Sequence, residues 1–202
     1  ADIVVTNPPF SLFREYIAQL SEHNKKFLII GSINAITYKD IFKLIKENKL
    51  WTGYGFKNGN AYFQTKYNHF ESNVLNEDSG IVLLRNVAWY TNMEISKRNE
   101  ELILYRKYIG NEKNYLEYDN YKAIEACPLK EIPMDYKGVM GVPLTFIDKF
   151  NPYQFEIVGC DSDIKQGLLP ELIKENWKGK LDRGYINGKR KYSRIFIKNK
   201  RL

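Results

Sequence analysis

The stretch DIVVTNPPFSLFRE, residues 2–15, decides how the rest of this chain is read. Ile3, Val4, Val5 and Thr6 form a β-branched run, which predicts a strand buried on both faces of a parallel sheet. The run stops at Asn7-Pro8-Pro9, where two consecutive prolines remove backbone donors and lock φ, so the strand ends there. Beyond it Leu12, Phe13, Tyr16, Ile17 and Leu20 recur at helical spacing toward His23, with Ser11 placed to cap the helix start. An apolar strand that delivers Asn-Pro-Pro-aromatic at its carboxyl end, directly before an amphipathic helix, is a demanding combination of pattern and context.

Working outward, Lys25-Lys26 leads into Phe27-Leu28-Ile29-Ile30-Gly31, a second buried strand. A helix from about residue 38 to 48 follows, with Ile41, Phe42 and Ile45 inward. Strand, crossover helix and parallel strand in this order predict an α/β fold with a doubly wound sheet, whose ligands lie outside the carboxyl ends of the strands. Asn7 sits at such an end. Past Leu50 the helical period gives way to strand signals at 51–56, an Asn58-Gly59 turn, 61–65 and 81–90, read as antiparallel strands closing the sheet. Residues 96–151 show no clear period. Residues 155–159 predict a strand, and Tyr185 to Ile197, interrupted by Asn187-Gly188-Lys189, a terminal basic hairpin in which Arg194 and Lys198 share one face. The expected division is a catalytic part over 1–95 and an annex, mixed α/β or rich in β, over 96–202.

With 202 residues, 44% hydrophobic and 27% charged, the chain has the composition of an ordinary soluble globular protein with one core and an annex. No apolar run reaches the length of a bilayer span, so no membrane partner is expected, and a cytoplasmic location is. Cys127 and Cys160 lack C-x-x-C spacing and are expected to be free thiols. With two histidines, His23 and His69, no metal is expected. The net charge of +7 is unevenly placed: Lys178 to Leu202 holds ten Lys or Arg against Asp182 alone, or +9, leaving the rest at −2. A polyanion partner suits this tail, with Lys189, Arg190, Lys191, Arg194, Lys198, Lys200 and Arg201 as phosphate contacts; a merely solvated tail fits nearly as well. Fifteen Tyr and eleven Phe suit stacking on bases and suit an aromatic core as well.

The chemistry of Asn7-Pro8-Pro9-Phe10 concerns a planar exocyclic amine. Its lone pair is delocalised into a ring, and it is a poor nucleophile until the nitrogen becomes more tetrahedral. The Asn7 side-chain oxygen and the Pro8 carbonyl can each accept one amino hydrogen, which favours that geometry and aims the lone pair at a sulfonium methyl. The paired prolines hold the Pro8 carbonyl by covalent stiffness. Phe10 offers a ring face to a base taken out of its stack, since a paired base cannot reach the donor.

These residues resemble the catalytic motif of the EcoRI-type adenine-specific DNA methyltransferase family. Further segments are similar to it: Ser32-Ile33-Asn34-Ala35-Ile36-Thr37-Tyr38-Lys39, Gly55-Phe56 with Gly59-Asn60-Ala61-Tyr62-Phe63, Gly138-Val139-Met140-Gly141-Val142-Pro143, and Tyr185-Ile186-Asn187-Gly188-Lys189. The resemblance implies a Rossmann-like methyltransferase core and S-adenosylmethionine as methyl donor, its reactive end at Asn7 and Pro8. It further implies a flipped adenine in double-stranded DNA as substrate and a restriction-modification role with a companion restriction endonuclease. It places 53–63 beside the target base, so that Phe56 and Phe63 either contact it or form a hairpin core. The Gly-rich cofactor loop that members carry upstream of the catalytic strand has no counterpart here. The chain is therefore expected to be an incomplete core, the later strands of the sheet, missing an N-terminal cofactor-binding half. Ile157-Val158-Gly159-Cys160-Asp161 is a poor substitute for that loop. Methyl transfer to RNA or to a protein amide, and a non-catalytic DNA-binding fragment, are the alternatives.

Overall fold

The computed structural model describes residues 1–54, 60–64, 74–76 and 80–202. The chain divides into two compact units, Ala1–Glu94 and Ile95–Leu202.

In the first unit β1 (Ile3–Thr6) is followed by a 3-10 turn (Phe10–Leu12), α1 (Phe13–Glu22) and β2 (Lys26–Ser32). A second 3-10 turn (Ile33–Thr37) leads to α2 (Lys39–Lys46) and then β3 (Trp51–Thr52). Next come β4 (Ala61–Gln64), β5 (Val74–Asn76), β6 (Ile81–Leu84) and β7 (Val87–Thr91). β1 and β2 pair in parallel, with Ile3 opposite Lys26 and Thr6 opposite Ile29. β7 lies antiparallel between β2 and β3, giving the order β1-β2-β7-β3. Each helix lays one apolar stripe on the core: Phe13, Ile17 and Leu20 from α1, Ile41, Phe42 and Ile45 from α2. Each such side chain contributes about 1.5–3 kcal/mol by leaving water. The start of β2 is tied to the end of β7 by side chains. Asn92 accepts from Phe27 N (3.0 Å) and donates to Lys25 O (2.8 Å), while Thr91 Oγ1 donates to Phe27 O (2.6 Å).

Three expectations are corrected here. β1 alternates instead of being buried on both faces: Ile3 is 52% and Val5 65% exposed, because β1 is the edge strand of its sheet. Ser11 does not cap α1; it lies inside the 3-10 turn, and the N-cap position is Leu12 with no side-chain hydrogen bond. The run 81–90 is two strands rather than one. Asn86 breaks it in the left-handed region (φ 60°), sending β7 to the sheet of β1, β2 and β3 and β6 to a separate antiparallel sheet of order β4-β6-β5.

The second unit holds β8 (Ile124–Glu125), β9 (Met140–Pro143), β10 (Phe155–Cys160), α3 (Asp161–Lys165), β11 (Tyr185–Ile186), β12 (Lys189–Arg190) and β13 (Arg194–Asn199). Its sheet has the order β10-β13-β9-β8, so β13 is central, and Ile195, Phe196 and Ile197 are wholly buried. The expected terminal hairpin is therefore shorter: only β11 and β12 form it, and the strand after it belongs to the core. Tyr118 and Tyr121 each meet the Phe196 ring edge to face, and they tilt against one another, with centroids 5.2–5.9 Å apart. A Cβ on Gly141 would come within 2.2 Å of the Tyr118 hydroxyl, so β9 needs glycine at that point to admit the ring.

Charged groups sit inside this core. Arg194 is 6% exposed and binds Glu125 through Nε (3.1 Å to Oε2) and Nη2 (2.5 Å to Oε1); Tyr118 donates its hydroxyl to the same carboxylate. Asp161 is 2% exposed; its Oδ2 accepts from Arg194 N (2.6 Å), and its Oδ1 has no hydrogen-bond partner among the described residues. Burial pushes the Asp161 carboxyl from an ordinary value of 3.8 up to about 6, against the pull of the Arg194 N–H and the Arg183 charge.

Two outcomes follow for stability. Removing Glu125 leaves the Arg194 guanidinium buried without its counter-charge, so Glu125→Ala lowers unfolding free energy in urea by about 3–5 kcal/mol. Because the Asp161 carboxyl holds its proton more tightly folded than unfolded, its ionisation weakens the fold as pH rises from about 4 through about 6. Asp161→Asn abolishes this dependence: the variant gains up to about 3 kcal/mol relative to the parent between pH 4 and pH 8, read by urea unfolding at both.

Candidate active site

Asn7, Pro8, Pro9 and Phe10 occupy the carboxyl end of β1, where the chain leaves the sheet. Pro8 is buried, while Asn7, Pro9 and Phe10 are exposed, Phe10 by 44%. Pro9 adopts φ −54° and ψ 130°, an extended conformation that turns the chain outward, and its carbonyl accepts from Leu12 N (2.9 Å) to close the 3-10 turn. Among the described residues neither the Asn7 side chain nor the Pro8 carbonyl takes part in a hydrogen bond. Two oxygens on adjacent residues thus remain free as acceptors, on backbone whose φ at both prolines is fixed by the ring.

The exit is anchored from below. Phe13 is 1% exposed and packs on Tyr90 with ring centroids 4.9 Å apart; its ring also lies where a Cβ of Gly31 would stand, 2.4 Å away. Tyr90 donates its hydroxyl to Ser32 O (2.8 Å), which joins β7 to the carboxyl end of β2, and burial drives that phenol well above its usual range. The carboxyl end of β2 carries its own turn, where Ser32 Oγ accepts from Asn34 N (3.2 Å) and Thr37 Oγ1 donates to Asn34 O (2.8 Å). The turn ends at Tyr38, over whose ring the Arg14 guanidinium sits at 5.7 Å. The structure thus joins the segment after Phe10 to the segment after β2 by a cation–π contact. Arg14 and Tyr38 were not singled out from sequence; they lie 24 positions apart and no periodicity links them.

The remaining candidates lie on other elements. Phe63 lies on β4, 44% exposed, and Phe56 lies outside the described residues. Arg194 is corrected as a phosphate contact, since its charge is spent on Glu125 inside the core. Arg190 binds Asp182 (Nη2 to Oδ2 2.6 Å), Arg201 binds Glu101, and Lys200 donates to Pro152 O (2.9 Å). Lys189, Lys191 and Lys198 carry no ion pair among the described residues. No group of three or more His, Cys, Asp or Glu that could hold a metal occurs among the described residues, and no described helix is long and apolar enough to cross a membrane. The glycine of β10 does not open a ligand turn. A Cβ there would meet Leu169 at 2.3 Å and Asp163 Oδ2 at 2.9 Å, and that carboxylate already accepts from Cys160 N (3.1 Å). Cys160 is correspondingly inert, its thiol pushed up to about 12 by burial.

Comparison with known proteins shows the family to which the chain belongs. The profile of the family described as "Adenine-specific methyltransferase EcoRI" matches residues 1–200. The chain is 46% identical to the Type II methyltransferase M.EcoRI of Escherichia coli, over all of this chain and 59% of that protein. It is 41% identical to the Type II methyltransferase M.MgeORF184P of Mycoplasma genitalium (all of this chain, 66% of that one). With M.MpnI of Mycoplasma pneumoniae the identity is 38%, over 99% of this chain and 65% of the relative. The chain therefore spans about three fifths to two thirds of the length of these curated relatives. No solved structure matches it significantly.

The anchoring of Phe13 gives a direct test. Gly31→Ala forces the ring away and lowers stability by about 1–3 kcal/mol in urea unfolding, and Phe13→Leu in that background recovers part of the loss because the shorter side chain vacates the contested space.

Proposed function

The chain belongs to the EcoRI family of adenine-specific methyltransferases, and from that premise we propose that its protein methylates the exocyclic amine of adenine in double-stranded DNA. The observation that carries this reading is the pair of unspent acceptors at a stiff strand end, the Asn7 side-chain oxygen and the Pro8 carbonyl. An adenine amine presents two hydrogens, and the two oxygens accept one each, drawing the nitrogen toward tetrahedral geometry. Phe10, exposed beside them, stacks on the base once it is out of the duplex. S-adenosylmethionine, when bound, would supply the methyl group, its sulfur–methyl bond breaking to leave S-adenosylhomocysteine as the nitrogen–carbon bond forms and the nitrogen sheds one proton to solvent. Asn7 and Pro8 fit its reactive end because their oxygens are free to hold the acceptor amine in line; the filled turn after β10 does not fit the rest of the molecule.

The first unit is in this reading the catalytic half of a Rossmann-like core. Its open edge at β1, with Ile3 and Val5 exposed, is where the strands bearing the cofactor loop join the sheet. The greater length of the relatives supports this. The second unit selects the target and holds DNA through Lys189, Lys191 and Lys198, the cations not engaged within the protein, in a restriction-modification role alongside a companion endonuclease.

Asn7→Ala lowers kcat for methyl transfer to DNA by about 10²–10³-fold, the scale on which loss of one well-placed polar contact to the reacting centre is felt. Its affinity for S-adenosylmethionine stays within a few fold, checked by tritiated methyl transfer and calorimetry. Undiminished turnover in this variant contradicts the assignment.

A further inference from the structure

The hairpin of β11 and β12 has two residues in each strand and a two-residue turn, Asn187 and Gly188, both in the left-handed region (φ 52° and 72°). A ribbon this short has no stability of its own. It is held instead by two consecutive residues from elsewhere in the chain. The Asp119 carboxylate accepts from both turn amides, Asn187 N at 3.1 Å and Gly188 N at 2.8 Å, and Asp119 N donates to Tyr185 O at 2.7 Å. Asn120, wholly buried, accepts from Tyr185 N (2.9 Å) and donates to Arg183 O (2.8 Å). Root and tip of the hairpin are thus both fixed by the same dipeptide. Trp177 adds a brace. Its ring lies 5.2 Å from that of Tyr185 and its Nε1 donates to Lys180 O (3.0 Å), which ties the loop bearing Lys178 and Lys180 to the hairpin root.

Charge is distributed to match. Residues 178–191 hold six Lys or Arg and one acid, Asp182, which is spent on Arg190. The Asp119 carboxylate is spent on the turn amides. Arg183 donates to Asp182 O and lies in the field of the Asp161 carboxylate, and Lys178, Lys180, Lys189 and Lys191 are left without an ion-pair partner among the described residues. Four unneutralised cations on a braced loop and ribbon present a polyanion with a surface whose ordering cost is already met by the fold.

We propose that Asp119 and Asn120 are positioning residues for DNA engagement, holding the Tyr185–Arg190 hairpin so that Lys189 and Lys191 meet backbone phosphates. The proposal rests on the DNA-methyltransferase reading above. Phosphate contacts of this kind set register and orientation and do not read sequence, so the dipeptide acts on affinity and salt dependence without choosing the recognition site.

The test measures binding of the protein to a fluorescein-labelled DNA duplex by anisotropy at several salt concentrations. Asp119→Ala weakens binding at least tenfold and makes the dependence of log Kd on log salt shallower by about two contacts. Asp119→Asn, which keeps one acceptor oxygen, falls between it and the parent. Lys189→Ala with Lys191→Ala gives the same shallower slope with the clamp intact, and adding Asp119→Ala to that pair costs little more. Weakening by the lysine pair with Asp119→Ala and Asp119→Asn at parental affinity overturns the clamp and leaves the DNA reading standing. Parental binding by the lysine pair overturns the hairpin as a DNA contact. A loss in Asp119→Ala that tracks its thermal stability with an unchanged salt slope assigns Asp119 a structural role only and overturns the proposal.

Discussion

Phe13 anchors the chain three residues beyond Phe10, wedged between Tyr90 and the bare backbone of Gly31. The geometry of the strand end depends on this contact. Upstream, the ladder with β2 fixes β1 as far as Thr6; downstream, the buried ring fixes the start of α1. Between them only six residues span the gap, and two are prolines whose φ is set covalently. A soft loop of that length would sample many conformations and hydrogen-bond its own carbonyls. Here the Pro9 carbonyl closes the turn with Leu12 N, while the Asn7 and Pro8 oxygens are left for a ligand.

The first unit was largely legible because its elements obey single periods. The β-branched run before Asn7 specifies a strand, and the helical spacing of Phe13, Ile17 and Leu20 specifies a helix and its inward face. The reading erred where a period cannot show what lies alongside. Val5 looks like a core residue by composition, yet it is exposed on an edge strand that pairs on one side only, with β2. Ser11 looks like an N-cap, yet the 3-10 turn closed on Pro9 moves the N-cap of α1 one residue on, to Leu12.

The second unit was less legible, because its structure rests on contacts between residues far apart in sequence. Arg194 reads as one more cation in a basic tail. Only the fold reveals Glu125, 69 positions earlier, as its buried partner. The Asp119-Asn120 clamp on the Asn187-Gly188 turn is of the same kind: the turn was evident from its two residues, its support was not. The tail's charge thus separates into cations spent within the protein, Arg190, Arg194 and Arg201, and cations left facing outward, Lys189, Lys191 and Lys198.

The central claim is that the strand end at Asn7 and Pro8 holds an adenine amine for methylation. The most direct measurement supplies the protein with tritium-labelled S-adenosylmethionine and unmethylated duplex DNA, digests the product to nucleosides and separates them. The account predicts label in N6-methyldeoxyadenosine alone; label in a methylated cytosine, or in RNA or protein with none in DNA, contradicts it.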